Sequence, residues 1–163
     1  MPRRKLNYKE GDWIAVPLKD GGYALGIAAR VSRGGAIFGY FFGPRYPDVP
    51  TASNTTGLLP SKAVFIGMFG DLGLLEGIWM VIRSSEPWRR EEWPMPDFGR
   101  VDPMDSTYAV RTTYNEDRIT EAIDERRVSP EEARSLPEDG LFGDVALELY
   151  LNRLLPIGIT PSL

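Results

Sequence analysis

The chain has 163 residues, of which 42% are hydrophobic, enough apolar surface for the core of one ordinary domain, and its formal net charge is -4. It contains no histidine and no cysteine, which excludes zinc sites of the His/Cys type, thiol nucleophiles and any acid–base step that needs imidazole. No apolar stretch approaches the roughly 20 residues of a membrane span, and Met1–Lys5 is followed by polar sequence, so a cytoplasmic protein of one domain, 1–163, is expected.

Charge is unevenly spread. Residues 1–9 carry four basic and no acidic side chains, a basic arm, whereas residues 115–148 carry eleven acidic side chains against four arginines. The acidic segment would repel phosphates, which counts against a nucleic-acid partner.

Three consecutive strands open the chain, Gly11–Leu18, Tyr23–Val31 and Ala36–Gly43. The first alternates Ile14, Val16 and Leu18 with Trp13, Ala15 and Pro17, the period of half-buried strands. Glycines in Lys19–Gly22 and Ser32–Gly35 supply the positive φ values of tight hairpins. Pro44–Gly57 is too rich in proline, serine, threonine and asparagine for a sheet interior and predicts an exposed loop. Sheet signals return at Ala63–Gly70 and Ile78–Arg83, joined by Asp71–Gly77, whose leucines predict a connection folded back on the core. A sixth strand is expected at Tyr108–Thr113. Residues 9–113 therefore read as a β-rich part: a curled antiparallel sheet or half-open barrel of five to six strands.

Residues 115–156 read as a helical part, giving an α+β, mainly β, fold with two to three C-terminal helices. Ile119 and Ile123 lie one helical turn apart in the charged Asn115–Arg127 stretch, which predicts a surface helix. Ser129-Pro130-Glu131-Glu132 is a capping box that opens a short helix ending near Leu136-Pro137. Val145–Leu155 predicts a helix that packs on the sheet through Val145, Leu149 and the leucines from 151 to 155, with Pro156 as its stop.

Residues 85–99 hold three prolines and two tryptophans and predict a long loop. Here Trp88, Trp93, Met95 and Phe98 interleave with Arg89, Arg90, Glu91, Glu92 and Asp97. Large aromatic anchors beside charges are the composition of a protein-binding hot spot, so Trp88, Glu91, Glu92, Trp93 and Asp97 are the candidate partner-binding residues. The structural alternative is that both tryptophans cover the open end of the sheet. Trp13 reads as core, and the glycines of Gly39–Gly43 and Gly67–Gly70 as sites of close backbone approach or bulging. Adjacent acidic pairs at Glu91-Glu92, Glu131-Glu132 and Glu138-Asp139 read as solvated surface, and no catalytic, metal or cofactor residue is assigned.

Gly11–Gly26, Gly39–Pro44, Phe69–Leu74, Glu92–Arg100 and Leu136–Leu141, in this order on one chain, resemble the immunity protein 26 family of bacterial polymorphic toxin systems. The likeness runs roughly from Tyr8 to Leu155. It implies a mainly β fold with C-terminal helices, no enzymatic activity, and a cognate toxin that the protein binds and neutralises. The acidic C-terminal third is compatible with a basic toxin such as a nuclease. A second reading from the residues is a small-molecule or peptide-binding β-barrel whose cavity is lined by Tyr23, Phe38, Tyr40 and Trp79.

Overall fold

The structure is a computed structural model that describes residues 6–84 and 86–157; the basic arm Met1–Lys5 lies outside them. Strands β1 (Trp13–Pro17), β2 (Tyr23–Val31) and β3 (Ala36–Tyr46) form the expected antiparallel meander, extended by β4 (Phe65–Gly70). Short β5 (Met80–Ile82) adds antiparallel to β1, and β9 (Leu141–Phe142) adds parallel to β4. This mixed sheet has the order β5-β1-β2-β3-β4-β9. A second sheet is an antiparallel meander of β6 (Phe98–Asp102), β7 (Asp105–Tyr114) and β8 (Ala122–Val128). Helices α1 (Leu72–Leu75), α2 (Pro130–Arg134) and α3 (Asp144–Leu154) complete the fold.

The sheet is neither a curled sheet nor a half-open barrel. The fifth strand returns to β1 instead of closing on β4, and the sixth joins a separate sheet. The reason lies in the strands' two faces, both of which are buried. Ile14, Val16, Ala28, Ile37, Phe41, Phe65 and Phe69 face one core, with Leu74, Trp79 and the α3 residues Leu147 and Leu151. Trp13, Ala15, Leu25, Ile27, Phe38, Tyr40, Phe42 and Met68 face the other, with Trp93, Phe98 and Ile119. A sheet apolar on both faces is satisfied by a layer on each side, here α3 below and the aromatic segment with the second sheet above.

Two glycines show how tightly the lower layer is packed. A Cβ on Gly26 would lie 2.5 Å from the Phe41 ring, and one on Gly39 3.0 Å from the Phe69 ring and 2.5 Å from the Ile27 carbonyl. The expected close approach is thus of aromatic rings lying on the strand as well as of backbone. β3 also runs beyond its expected end. Pro44 is accommodated where the register between Tyr23 and Leu25 jumps, a bulge that needs no N–H from it. Arg45 then donates to the carbonyls of Asn152 and Leu155, each at 2.7 Å, and so caps the C-terminus of α3.

The helix expected over 115–127 is not formed. The Asn115 side-chain oxygen accepts the N–H groups of Asp117 and Arg118 at 2.8 and 3.0 Å, and this turn sends the following residues into β8. Ile119 is buried whereas Ile123 is 61% exposed, so their helical spacing marks no shared face. Ser129 does cap α2, accepting the Glu132 N–H at 3.1 Å, but the Glu132 carboxylate turns to Arg111, at 3.1 Å, instead of closing the box. In α3 the buried stripe is Leu147, Leu151 and the following Leu155, while Val145 and Leu149 are exposed. No helix among the described residues is long and apolar enough to cross a membrane.

Candidate functional site

The aromatic segment that links β5 to β6 is fixed from beneath at two points. Trp93, only 6% exposed, places its ring edge-on to Trp13, Tyr40 and Phe42 at centroid distances of 5.7, 5.4 and 5.9 Å. Phe98 is fully buried against Phe38 and Tyr114. Between these anchors the Tyr40 hydroxyl donates to the Pro94 carbonyl. Burial of that hydroxyl, opposed by the Arg30 charge and reinforced by Glu116, pushes the Tyr40 pKa from 10.0 up to about 12. Trp88 lies over Gly11, where a Cβ would come within 2.7 Å of its ring, and its indole N–H donates to Glu10 at 2.9 Å. Gly11 has φ +92, so glycine serves both the turn and this ring.

Glu116 ties the segment to its surroundings. One of its carboxylate oxygens pairs with Arg30 at 3.0 Å, the other accepts the Met95 N–H at 3.4 Å, and its backbone carbonyl accepts from Arg90 at 2.7 Å. Arg90 in turn pairs with Asp117 at 2.8 Å and reaches Glu10 at 3.4 Å. Arg30 is a charge within an apolar strand, 2% exposed. A register jump between Ala28 and Arg30 carries it to the Phe38 face, where Glu116 meets it. A buried guanidinium is costly without its counter-ion, so this pair fixes the position of the 115–121 loop against β2.

Of the five residues expected to meet a partner, Glu91 and Glu92 stand exposed on a 3-10 turn, Arg90–Glu92. Trp88 is half-buried and, with Glu92 and Trp93, borders a depression of about 70 Å³. Trp93 belongs to the core and supports this surface from below. Asp97 points elsewhere. It accepts from Arg111 and Thr113, each at 2.7 Å, next to α2. Burial alone would raise its carboxyl pKa, but the hydrogen bonds from Thr113 and Arg111, with the arginine charge, hold it below the ordinary value. Sequence reasoning missed Glu10, Glu116 and Asp117. Arg30 within an otherwise apolar strand was the available sign that a carboxylate must lie nearby.

A cleft of about 1090 Å³ continues from the Glu116 loop, between the Ser32–Gly35 turn, Asp117–Glu121 and Leu141–Asp144. Asp71, Asp117, Glu121 and Asp144 line it against Arg33 and Arg118, so it is acidic on balance. The cavity read from Tyr23, Phe38, Tyr40 and Trp79 is not present. Phe38 and Tyr40 are packed in the upper core and Trp79 in the lower, on opposite faces of one sheet, so they line no common space. Among the described residues no three carboxylates converge as a metal site would require.

Residues 9–110 match the family model of immunity protein 26, which spans β1–β6, the aromatic segment and the first half of β7. The resemblance read from the sequence therefore stands over this region, and Leu136–Leu141 lies beyond it. No curated protein and no solved structure matches. With well over half of its length matched, the chain belongs to the immunity protein 26 family: a non-enzymatic immunity protein of a toxin system, with a cognate toxin as its partner.

Proposed function

We propose that the protein neutralises its toxin by stoichiometric occlusion, using the exposed turn Arg90–Glu92, the Trp88 ring and the adjoining 115–121 loop. The observation that carries this reading is the way Glu91 and Glu92 are presented: exposed themselves, on a turn held by the Trp93 anchor and the Arg90 ion pairs. A surface fixed before binding loses little conformational entropy on association. Glu92, Asp117 and Glu121 pair with Arg89, Arg90 and Arg118, so the acidic excess that attracts a basic toxin, of which a nuclease is one kind, centres on Glu91. Asp97 serves this surface indirectly, by joining the segment to Arg111.

The test is Glu91→Lys combined with Glu92→Lys, measured by calorimetry against the cognate toxin domain. Affinity is expected to fall by about tenfold or more, through association rate above all, with the melting temperature unchanged. Affinity within a few-fold of the parent would remove this turn from the interface.

A further inference from the structure

We propose that β8 is a self-association edge, pairing antiparallel with β8 of a second copy about a twofold axis at Glu125. β7 pairs with one side of β8, and among the described residues no strand pairs with the other. Residues Ala122–Arg127 are exposed on both faces.

The outward backbone groups follow from the register. The Gly99 N–H donates to the Pro137 carbonyl and its own carbonyl accepts from Asp139, each at 2.9 Å, so Gly99 points away from β7. Its partner Arg111 therefore points toward β8 and bonds Arg126, and by alternation Glu125 and Arg127 aim their N–H and C=O groups outward.

The side chains select the partner. Asp124, Glu125 and Arg126 make no ion pair among the described residues. Arg126 sits directly across from Arg111, whose guanidinium is already taken by Asp97 and Glu132. Like charges opposite one another are unfavourable; the Arg126 charge is felt by Asp97 but makes no close ion pair there, so a carboxylate from a second copy would be its first direct partner. With the axis at Glu125, each Asp124 faces Arg126 of the other copy at a non-hydrogen-bonded position, where strands approach to about 4.5 Å. The two Glu125 side chains meet at the wider hydrogen-bonded spacing of about 5.5 Å, diagonal to Arg127 of each copy. Moving the axis to Arg126 reverses this, placing two arginines at the close spacing. Charges on an edge commonly discourage pairing with arbitrary strands; here their order also admits an inverted copy of itself.

Sedimentation equilibrium of the full chain tests the proposal. The parent is expected to dimerise weakly and reversibly below about 1 mM. Asp124→Arg and Arg126→Asp should each weaken the dimer by about tenfold or more, and the double exchange should return it close to the parent. Because the chain lacks cysteine, Glu125→Cys should cross-link to itself with a short thiol-directed linker faster than Arg126→Cys, whose thiols lie on the longer diagonal of about 7–8 Å. A parent that is monomeric at about 1 mM, a double exchange as weak as the single changes, or cross-linking through 126 alone would each overturn the proposal. So would a monomer whose β8 amides gain hydrogen-exchange protection only when the toxin is added, which would assign the edge to the toxin.

Discussion

Trp93→Ala tests whether the aromatic segment is anchored from within. The indole is 6% exposed and meets three aromatic rings edge-on. Burying a side chain of this kind removes about 150–250 Å² from water, a contribution of about 4–6 kcal/mol at about 25 cal/mol per Å². Alanine keeps a small part of that area and leaves a cavity among Trp13, Tyr40 and Phe42, so the expected loss is about 4 kcal/mol. Against a total stability of about 5–15 kcal/mol, this is a large fraction. Urea denaturation followed by circular dichroism should show the midpoint falling by about 2 M at an unchanged slope of about 2 kcal/mol per M. Under conditions where the variant is still folded, toxin affinity should fall as well, although no exposed residue has changed. A stability loss below about 1.5 kcal/mol would refute the anchoring argument, because no well-packed indole is removed so cheaply.

Tyr40→Phe removes the hydroxyl that holds the Pro94 carbonyl and should cost about 1 kcal/mol at neutral pH by urea denaturation. The fold favours the protonated phenol, with its pKa raised from 10.0 to about 12, so the contribution of Tyr40 is complete below pH 10 and is lost as pH rises through about 12. Between those values the parent should lose stability with pH more steeply than the variant, and parallel curves would contradict the assignment. Gly99→Ala places a methyl 2.1 Å from the Ala133 carbonyl oxygen, backbone against backbone, so α2 must separate from β6. A loss of about 2 kcal/mol in the same assay is expected, and a neutral result would show that α2 is not seated there.

What could be read from the residues alone divides along physical lines. β1, β2 and the start of β3 were legible because glycine turns and alternating side chains are local features, sensed within a few residues. That both faces of these strands are buried was not, since it depends on α3 and on Trp93, which are distant in sequence. β8 was misread as helix because the Ile119–Ile123 spacing fits a helical turn, whereas the Asn115 turn and the pairing with β7 decide the outcome. The prolines of the aromatic segment correctly announced an irregular loop, and Glu91 and Glu92 are exposed as surface charges should be. Asp97 could not be separated from them by sequence, because its direction is set by Arg111 and Thr113, on a neighbouring strand.

The division of labour within the aromatic segment has an evolutionary reach. Trp93 and Phe98 are tied to the interior, whereas Glu91 and Glu92 touch nothing that the cores require. Replacing the two glutamates leaves the scaffold's stability in place while rewriting the face it offers. On the proposed interface, a lineage facing a changed toxin would adapt at these positions by single steps, without passing through an unfolded ancestor.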